Sequence, residues 1–272
     1  MLLLTAYCNL HTEMFRRILI PTDFSTASEW IFDDAIRIAG ASGGELIILH
    51  VRMTWASSPD ELRFPADPSL YEYAERQELE RVRDRVRRAN TSVATRLIVR
   101  QAPDPGAEIS RTAREEGADL IVIATHARHH VAHLLVGSTT LSVLKDPPAP
   151  MLAIRYGTRK RTTIDRVVVP VHFAQTSQRA LDLATREAKE IHLITICDDE
   201  KRAQAEELLR TTAANIPNAK TTVIRGKDPE EEIVRYADKN DVDAIFLNAA
   251  NEPSKKKLDI IRHAPVPVMI VP

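Results

Sequence analysis

Two stretches of this chain are copies of one another. Asp104 to Ile123 (DPGAEISRTAREEGADLIVI) aligns without gaps on Asp228 to Leu247 (DPEEEIVRYADKNDVDAIFL), with eight of twenty positions identical. The run Arg17-Ile18-Leu19-Ile20-Pro21-Thr22-Asp23-Phe24 is echoed by Arg166-Val167-Val168-Val169-Pro170-Val171-His172-Phe173. Both halves also end alike, in Pro148-Ala149-Pro150-Met151-Leu152-Ala153-Ile154 and Pro265-Val266-Pro267-Val268-Met269-Ile270-Val271. A duplication constrains the fold more than any composition can, because both copies must reach the same architecture. The 272 residues accordingly divide into a first domain over 14–156, a linker over 157–163 and a second domain over 164–272. Each is long enough to bury about two thirds of its unfolded surface without disulfides.

Within each copy, short apolar β-rich runs alternate with helical patterns. Strands are expected at Arg17–Ile20, Glu45–Val51, Ala94–Val99, Leu120–Ala124 and Met151–Ile154, then at Arg166–Val169, Ile191–Cys197, Thr221–Ile224, Ala244–Leu247 and Val268–Val271. Their apolar character on both faces reads as a covered parallel sheet. Thr26 and Glu29 have capping-box spacing for a first helix, with Ile31, Ala35 and Ile38 as its stripe and Gly40 at its end. A second helix is expected over Ser69 to Ala89, with a seam of Leu79, Val82, Val86 and Ala89. Asp104 caps a third, and a fourth follows Gly137. The β-α repeat implies right-handed crossovers and two doubly wound α/β sheets of five parallel strands each.

Composition excludes several function classes. With 37 basic and 38 acidic side chains, no general attraction to nucleic acid or anionic lipid is expected. No apolar run approaches the roughly 18 residues of a membrane span. Two cysteines, Cys8 and Cys197, make neither a disulfide framework nor a zinc site, so the expected compartment is the cytoplasm. Met1 to Glu13 lack the basic and apolar regions of a secretion signal, and Met14, directly before the first strand, is read as the start. Of the 8 glycines only Gly226 lies beyond Gly157, so the second half cannot use a glycine-rich phosphate loop.

In an open α/β sheet, ligands sit beyond the C-terminal strand ends where the strand order reverses. The first strand leaves through Pro21-Thr22-Asp23-Phe24-Ser25, which places a carboxylate and hydroxyls at that edge; Asp23 and Ser25 equally suit a turn and a helix cap. The fourth strand leaves through Ala124-Thr125-His126-Ala127-Arg128, and nine residues after Ala127 come Gly137-Ser138-Thr139 at a helix start, where amides, hydroxyls and the helix dipole can hold an oxyanion.

This spacing resembles the universal stress protein family, whose nucleotide-binding members carry Gly-x2-Gly-x9-Gly-Ser/Thr after the fourth strand, a Pro-x-Asp-x-Ser turn after the first and a Pro-x-Pro approach to the last. The resemblance covers nearly the whole chain as two tandem copies. It implies two flavodoxin-like domains forming a pseudo-dimer through their last strands, Met151–Ile154 and Val268–Val271. It also implies an adenine nucleotide, ATP with Mg2+, in the first half: Asp23 near the adenosine, Val51 beside the adenine, Ala124 and Ala127 at the two early glycine positions, Arg128 beside them, and Gly137, Ser138 and Thr139 at the phosphates.

Alanine at both early glycine positions is a departure. Where such a position needs φ > 0, an alanine costs about 1 to 2 kcal/mol; where φ is negative, it adds only a methyl group. The second half departs further. His172 replaces the aspartate, Asn248 and Asn251 fall at the early glycine positions, and the loop and Gly-Ser helix start have no counterpart. Lys255, Lys256 and Lys257 read as a solvated charge run, and no nucleotide is expected there.

Other signals are blander. His126, His129, His130 and His133 include an i, i+4 pair, but no acidic residue lies between Asp119 and Asp146 to complete a metal site, so none is expected. Arg81, Arg83, Arg85, Arg87 and Arg88 interleave with Glu75, Glu78, Glu80 and Asp84, which reads as a self-paired helix face. The Pro- and Ser-rich insertion from Trp55 to Pro68 suits either a lid over the cleft or a contact with a second subunit. No nucleophile, base and acid fall together, so no catalytic residue is assigned. Two readings follow: a cytoplasmic stress-response module that senses adenine nucleotide through its first half, or a nucleotide-free scaffold that docks a protein partner. Weak ATP hydrolysis ranks below both.

Overall fold

The computed structural model describes residues 15–53, 68–125, 136–159, 163–172, 178–249 and 255–272. The first half runs β1 (Arg17–Thr22), α1 (Thr26–Trp30), α2 (Phe32–Ser42), β2 (Glu45–Met53), α3 (Pro68–Ala89), β3 (Ala94–Ala102), α4 (Pro105–Glu115), β4 (Leu120–Ala124), α5 (Ser138–Lys145) and β5 (Met151–Ile154). The second half repeats the order with β6 (Arg166–Pro170), α6 (Gln178–Glu187), β7 (Glu190–Cys197), α7 (Arg202–Ala213), β8 (Ala219–Arg225), α8 (Pro229–Lys239), β9 (Ala244–Asn248), α9 (Lys255–His263) and β10 (Val268–Val271). All ten expected strands are present.

They form one ten-stranded sheet in the order β3-β2-β1-β4-β5-β10-β9-β6-β7-β8. Each half is a parallel, doubly wound set with the switch between its first and fourth strands. The halves meet where β5 pairs antiparallel with β10, Leu152 opposite Met269. These are the two strands expected to join.

Strand alternation feeds two cores. Ile18, Ile20, Leu46 and Ile48 face α1 to α3, continuing under α6 and α7, whereas Leu19, Ile47, Leu49 and Ile121 face α4 and α5, continuing under α8 and α9. The outer strands β3 and β8 are not covered on both faces as expected. They are sheet edges with alternating exposure, and Arg96 pairs with Glu116 at 2.6 Å and Lys220 with Glu190 at 2.8 Å, charges that discourage a further strand from adding.

The repeated residues do the same work twice. Asp104 and Asp228 are the N-caps of α4 and α8, each followed by proline in the first turn. Ile109 and Ile233, Ala113 and Ala237, and Ile121 and Ile245 are buried in the same core. Glu108 pairs with Arg111 and Glu232 with Arg235 one helical turn on. The Asp119 carboxylate accepts from the Arg16 and Arg17 amides at 2.7 and 3.0 Å, and Asp243 accepts from Asp165 and Arg166 at 3.0 and 2.8 Å. Each aspartate thereby clamps the entry of its half's first strand to the start of its fourth.

Three local expectations need correction. The first helix is capped by Ser25, whose hydroxyl accepts from the Ser28 amide, rather than by Thr26. Past Ile31 the chain continues as a separate helix, α2, which runs beyond Gly40 to Ser42 and ends on Gly43, whose φ of 62° supplies the left-handed cap. Gly40 instead faces the end of α3, where an added Cβ would lie 2.4 Å from the Asn90 side-chain nitrogen. The α3 seam holds at Leu79, Val82 and Val86, but Ala89 is exposed. Of the expected α3 pairs, Glu78–Arg81 and Glu80–Arg83 form, and Arg81 and Arg85 also reach across to Glu29 and Asp33 of α1 and α2.

Candidate functional site

Asp23, Val51, Ala124 and the Gly137-Ser138-Thr139 start of α5 all lie at the C-terminal edge of the first half's sheet. Thr22 is opposite His50 in β2, and extending the β1–β4 register brings Thr22 level with Ala124. The first strand's exit and the α5 start therefore flank the switch point between β1 and β4. Ala127 and Arg128 lie outside the described residues, as do Asn251, the histidines at 126, 129, 130 and 133, and nearly all of the Trp55–Pro68 insertion.

The turn after β1 is closed by its own side chains. Thr22 Oγ1 accepts from the Phe24 amide at 3.0 Å, Asp23 Oδ1 accepts from the Ser25 amide at 3.0 Å, and Ser25 Oγ accepts from the Ser28 amide at 3.2 Å. Asp23 and Ser25 thus do perform turn and capping roles. Phe24 adopts φ 59°, a conformation that bulky side chains avoid. It is held there by the Thr22 hydroxyl and by its ring, stacked on the His50 imidazole at 4.5 Å.

His50 is a site residue that sequence reasoning passed over. Its Nδ1 lies 2.8 Å from the Thr22 carbonyl and its Nε2 3.0 Å from Glu75 Oε1 on α3. Glu75 also accepts from Arg52, which reaches Glu72 at 3.3 Å. The Glu75 bond and charge hold the Arg52 pKa above its ordinary value. The only signal was position, since His50 immediately precedes Val51; its partner is 25 residues away and joins it only in the folded chain. Val51 itself is half-buried against the core under α4 and α5.

At the fourth strand, Ala124 ends β4 with its carbonyl accepting from Thr140 Oγ1 at 3.0 Å, and the Gly137 amide donates to the Thr125 carbonyl at 2.8 Å. These two bonds tie the first turn of α5 to the strand end. Gly137 is the N-cap of α5 at φ −61°, and being glycine it brings no capping side chain of its own. Ala124 is not among the residues with positive φ, so its methyl group brings no backbone strain.

In the second half the same edge carries contacts of a different kind. Asn248 ends β9, and its side-chain oxygen accepts from the Ala180 amide in the first turn of α6 at 2.9 Å. The Lys257 ammonium donates to the Asn248 carbonyl, where the first half has the Thr140 hydroxyl. Burial pushes the Lys257 pKa down. Lys255 and Lys256 are exposed as expected, but Lys257 turns inward, a correction to its reading as part of a solvated run. His172, at the aspartate position, is exposed.

The family model described as the universal stress protein family matches residues 14–155 and 197–272. The chain belongs to the universal stress protein family. Its curated relatives match about half of it: a universal stress protein of Methanocaldococcus jannaschii is 25% identical over 159 residues, 52% of this chain and 96% of the relative. One from Thermus aquaticus is 31% identical over 145 residues, 52% of this chain and all of the relative. The two-copy architecture has a solved counterpart in a universal stress protein of Archaeoglobus fulgidus, with a TM-score of 0.75 over 97% of this chain and 98% of that one, at 22% identity. The two matched segments leave out 156–196, which holds His172 and α6.

Among the described residues no helix is long and apolar enough to cross a membrane.

Proposed function

We propose that this tandem universal stress protein binds an adenine nucleotide, ATP with Mg2+, in the cleft of its first half and acts as a nucleotide-responsive module of the stress response. Its second half is a nucleotide-free structural and regulatory partner. The proposed contacts are Asp23 and Val51 for the nucleoside, Ala124, Ala127 and Arg128 along the loop, and Gly137, Ser138 and Thr139 for the phosphates. One observation carries the reading: the α5 N-terminus, with a glycine as its cap residue, is tied to the β4 end at the switch point, whereas the second half sets a lysine ammonium and an asparagine at its equivalent edge. A helix N-terminus favours an anion, and at the second half's edge the Lys257 ammonium takes the place of the Thr140 hydroxyl.

The test begins with the purified chain. Adenine nucleotide should appear in the supernatant after heat release, or calorimetry should register binding of ATP with Mg2+. Asp23→Ala and Gly137→Asp should abolish the signal, and His172→Ala should leave it intact. No heat at millimolar ATP would remove the nucleotide reading and leave the protein-docking scaffold in its place.

A further inference from the structure

The His50 imidazole stands between two groups that can only accept. The Thr22 carbonyl receives Nδ1 at 2.8 Å and the Glu75 carboxylate receives Nε2 at 3.0 Å. A neutral imidazole has one N–H and one lone pair, so it can satisfy one of these partners while its second nitrogen confronts the other lone pair to lone pair. The doubly protonated ring satisfies both. The side chains of His50 and Glu75 are only 15% and 11% exposed, so water does not readily replace either bond.

From this geometry we propose that His50 is a proton-carrying positioning residue, whose imidazolium latches the β1 turn bearing Asp23 to α3 and so makes the candidate cleft responsive to pH. The latch has three contacts on one ring: the carbonyl of the residue before Asp23, the stacked ring of the residue after it, and a carboxylate on α3. Loss of the second proton therefore releases one side of the turn on which Phe24 holds its left-handed conformation. The charged surroundings support a cation at this place. From α3, Glu75 faces the ring and Glu72 is tied to Arg52; on the same strand, Arg52 shares the Glu75 carboxylate. In the turn, the Asp23 carboxylate accepts from Ser25, and from α1, Glu29 is engaged by Arg81 and Arg85. Across the sheet, the β3 residue opposite His50 is the uncharged Val99.

This inference rests on the nucleotide reading for its consequence, but its core is testable without nucleotide. The full chain, labelled with 15N at histidine and at the backbone, is followed by NMR from about pH 5.5 to about 8.5, the range in which imidazoles change charge; His50→Gln assigns the ring signals. The Phe24 and Ser25 amides should shift in step with the His50 ring signals as one proton leaves. Over the same range the Kd for ATP with Mg2+ should rise about tenfold, the scale of one lost charge-assisted hydrogen bond. Glu75→Gln is the decisive variant. Its amide N–H can donate to a neutral Nε2 while its oxygen still accepts from Arg52, so the turn amides and the affinity should lose their pH response without losing tight binding; the ligand's own titration cancels in that comparison. Turn amides that ignore the ring's change of charge, or a Glu75→Gln chain whose turn amides and affinity respond to pH like the wild type, would each overturn the latch. A chain that keeps the ring signature and binds no ATP at any pH counts against the nucleotide reading alone.

Discussion

Gly106 and Ser142 bring the first turn of α4 against α5 so closely that a Cβ on the glycine would stand 2.3 Å from the serine Cβ and 2.7 Å from the Thr139 carbonyl. In the second half the equivalent of Gly106 is Glu230, whose carboxylate instead lies 3.6 Å from the Lys256 ammonium. The glycine therefore seats the helix whose N-terminus is the proposed phosphate site. Gly106→Ala tests this, because two effects oppose each other. Alanine in a helix gains about 0.5 to 1 kcal/mol over glycine, while overpacking of this kind costs about 1 to 3 kcal/mol. The clash involves backbone as well as side chain, so the variant should melt lower than the wild type and bind nucleotide more weakly. A raised melting temperature would show that α5 yields freely.

Gly137→Asp separates stability from binding. At φ −61° the position accepts a side chain, and a Cβ would make an ordinary 3.5 Å contact with the Thr125 carbonyl. Aspartate is a good N-cap, better than glycine by a few tenths of a kcal/mol. Thermal melting should therefore be unchanged or slightly raised, whereas the added carboxylate repels phosphate and calorimetric binding of ATP should vanish. Gly137→Ala, lacking the charge, should retain binding.

The paired aspartate clamps make a symmetric prediction. Asp119→Ala and Asp243→Ala each strip a carboxylate from two backbone amides at a strand entry. Hydrogen bonds to charged groups are worth about 1.5 to 3 kcal/mol, so each variant should lose about 2 kcal/mol or more in urea unfolding. Asp243 is the more buried of the two and should be the costlier loss.

Acid should attack the second half through Glu190. Its carboxylate is held down to about 2 from an ordinary 4.5, first by the His192 ring, 2.5 Å away, and then by Lys220. A carboxylate whose folded pKa is depressed contributes stability above its unfolded pKa, and that contribution drains away as pH falls from about 4.5 toward 2. Glu190→Gln should therefore lower stability at neutral pH and flatten its decline over that acid range, read as unfolding free energy against pH. A variant with the wild-type acid profile would remove Glu190 from the account.

Much of the fold was legible because its determinants are local or repeated. Asp104 announces α4 by capping and by the proline after it, and the final Pro-x-Pro runs lead into the two strands that pair across the halves. The misassigned details have a physical pattern. Thr26 and Ser25 are both competent caps, and only the backbone turn created by Phe24 at positive φ decides for Ser25. Gly40 and Gly43 both suit a helix end, and the contact of Gly40 with Asn90 is invisible until α3 is laid across α2. His50 and Glu75 carry no motif at all; strand and helix packing unite them. Lys257 reads as surface charge until α9 is laid beside the end of β9, where its ammonium meets the Asn248 carbonyl.

The antiparallel pairing of β5 with β10 has a consequence for how the two clefts can differ. Had such a seam joined two identical chains, any substitution at one cleft would appear at both, and neither could be surrendered alone. Here one polypeptide supplies both sides at a concentration fixed by the tether rather than by expression. Asn248 and Lys257 can then sit at one half's strand edge with no matching change at the other, and the pair remains assembled when the protein is scarce.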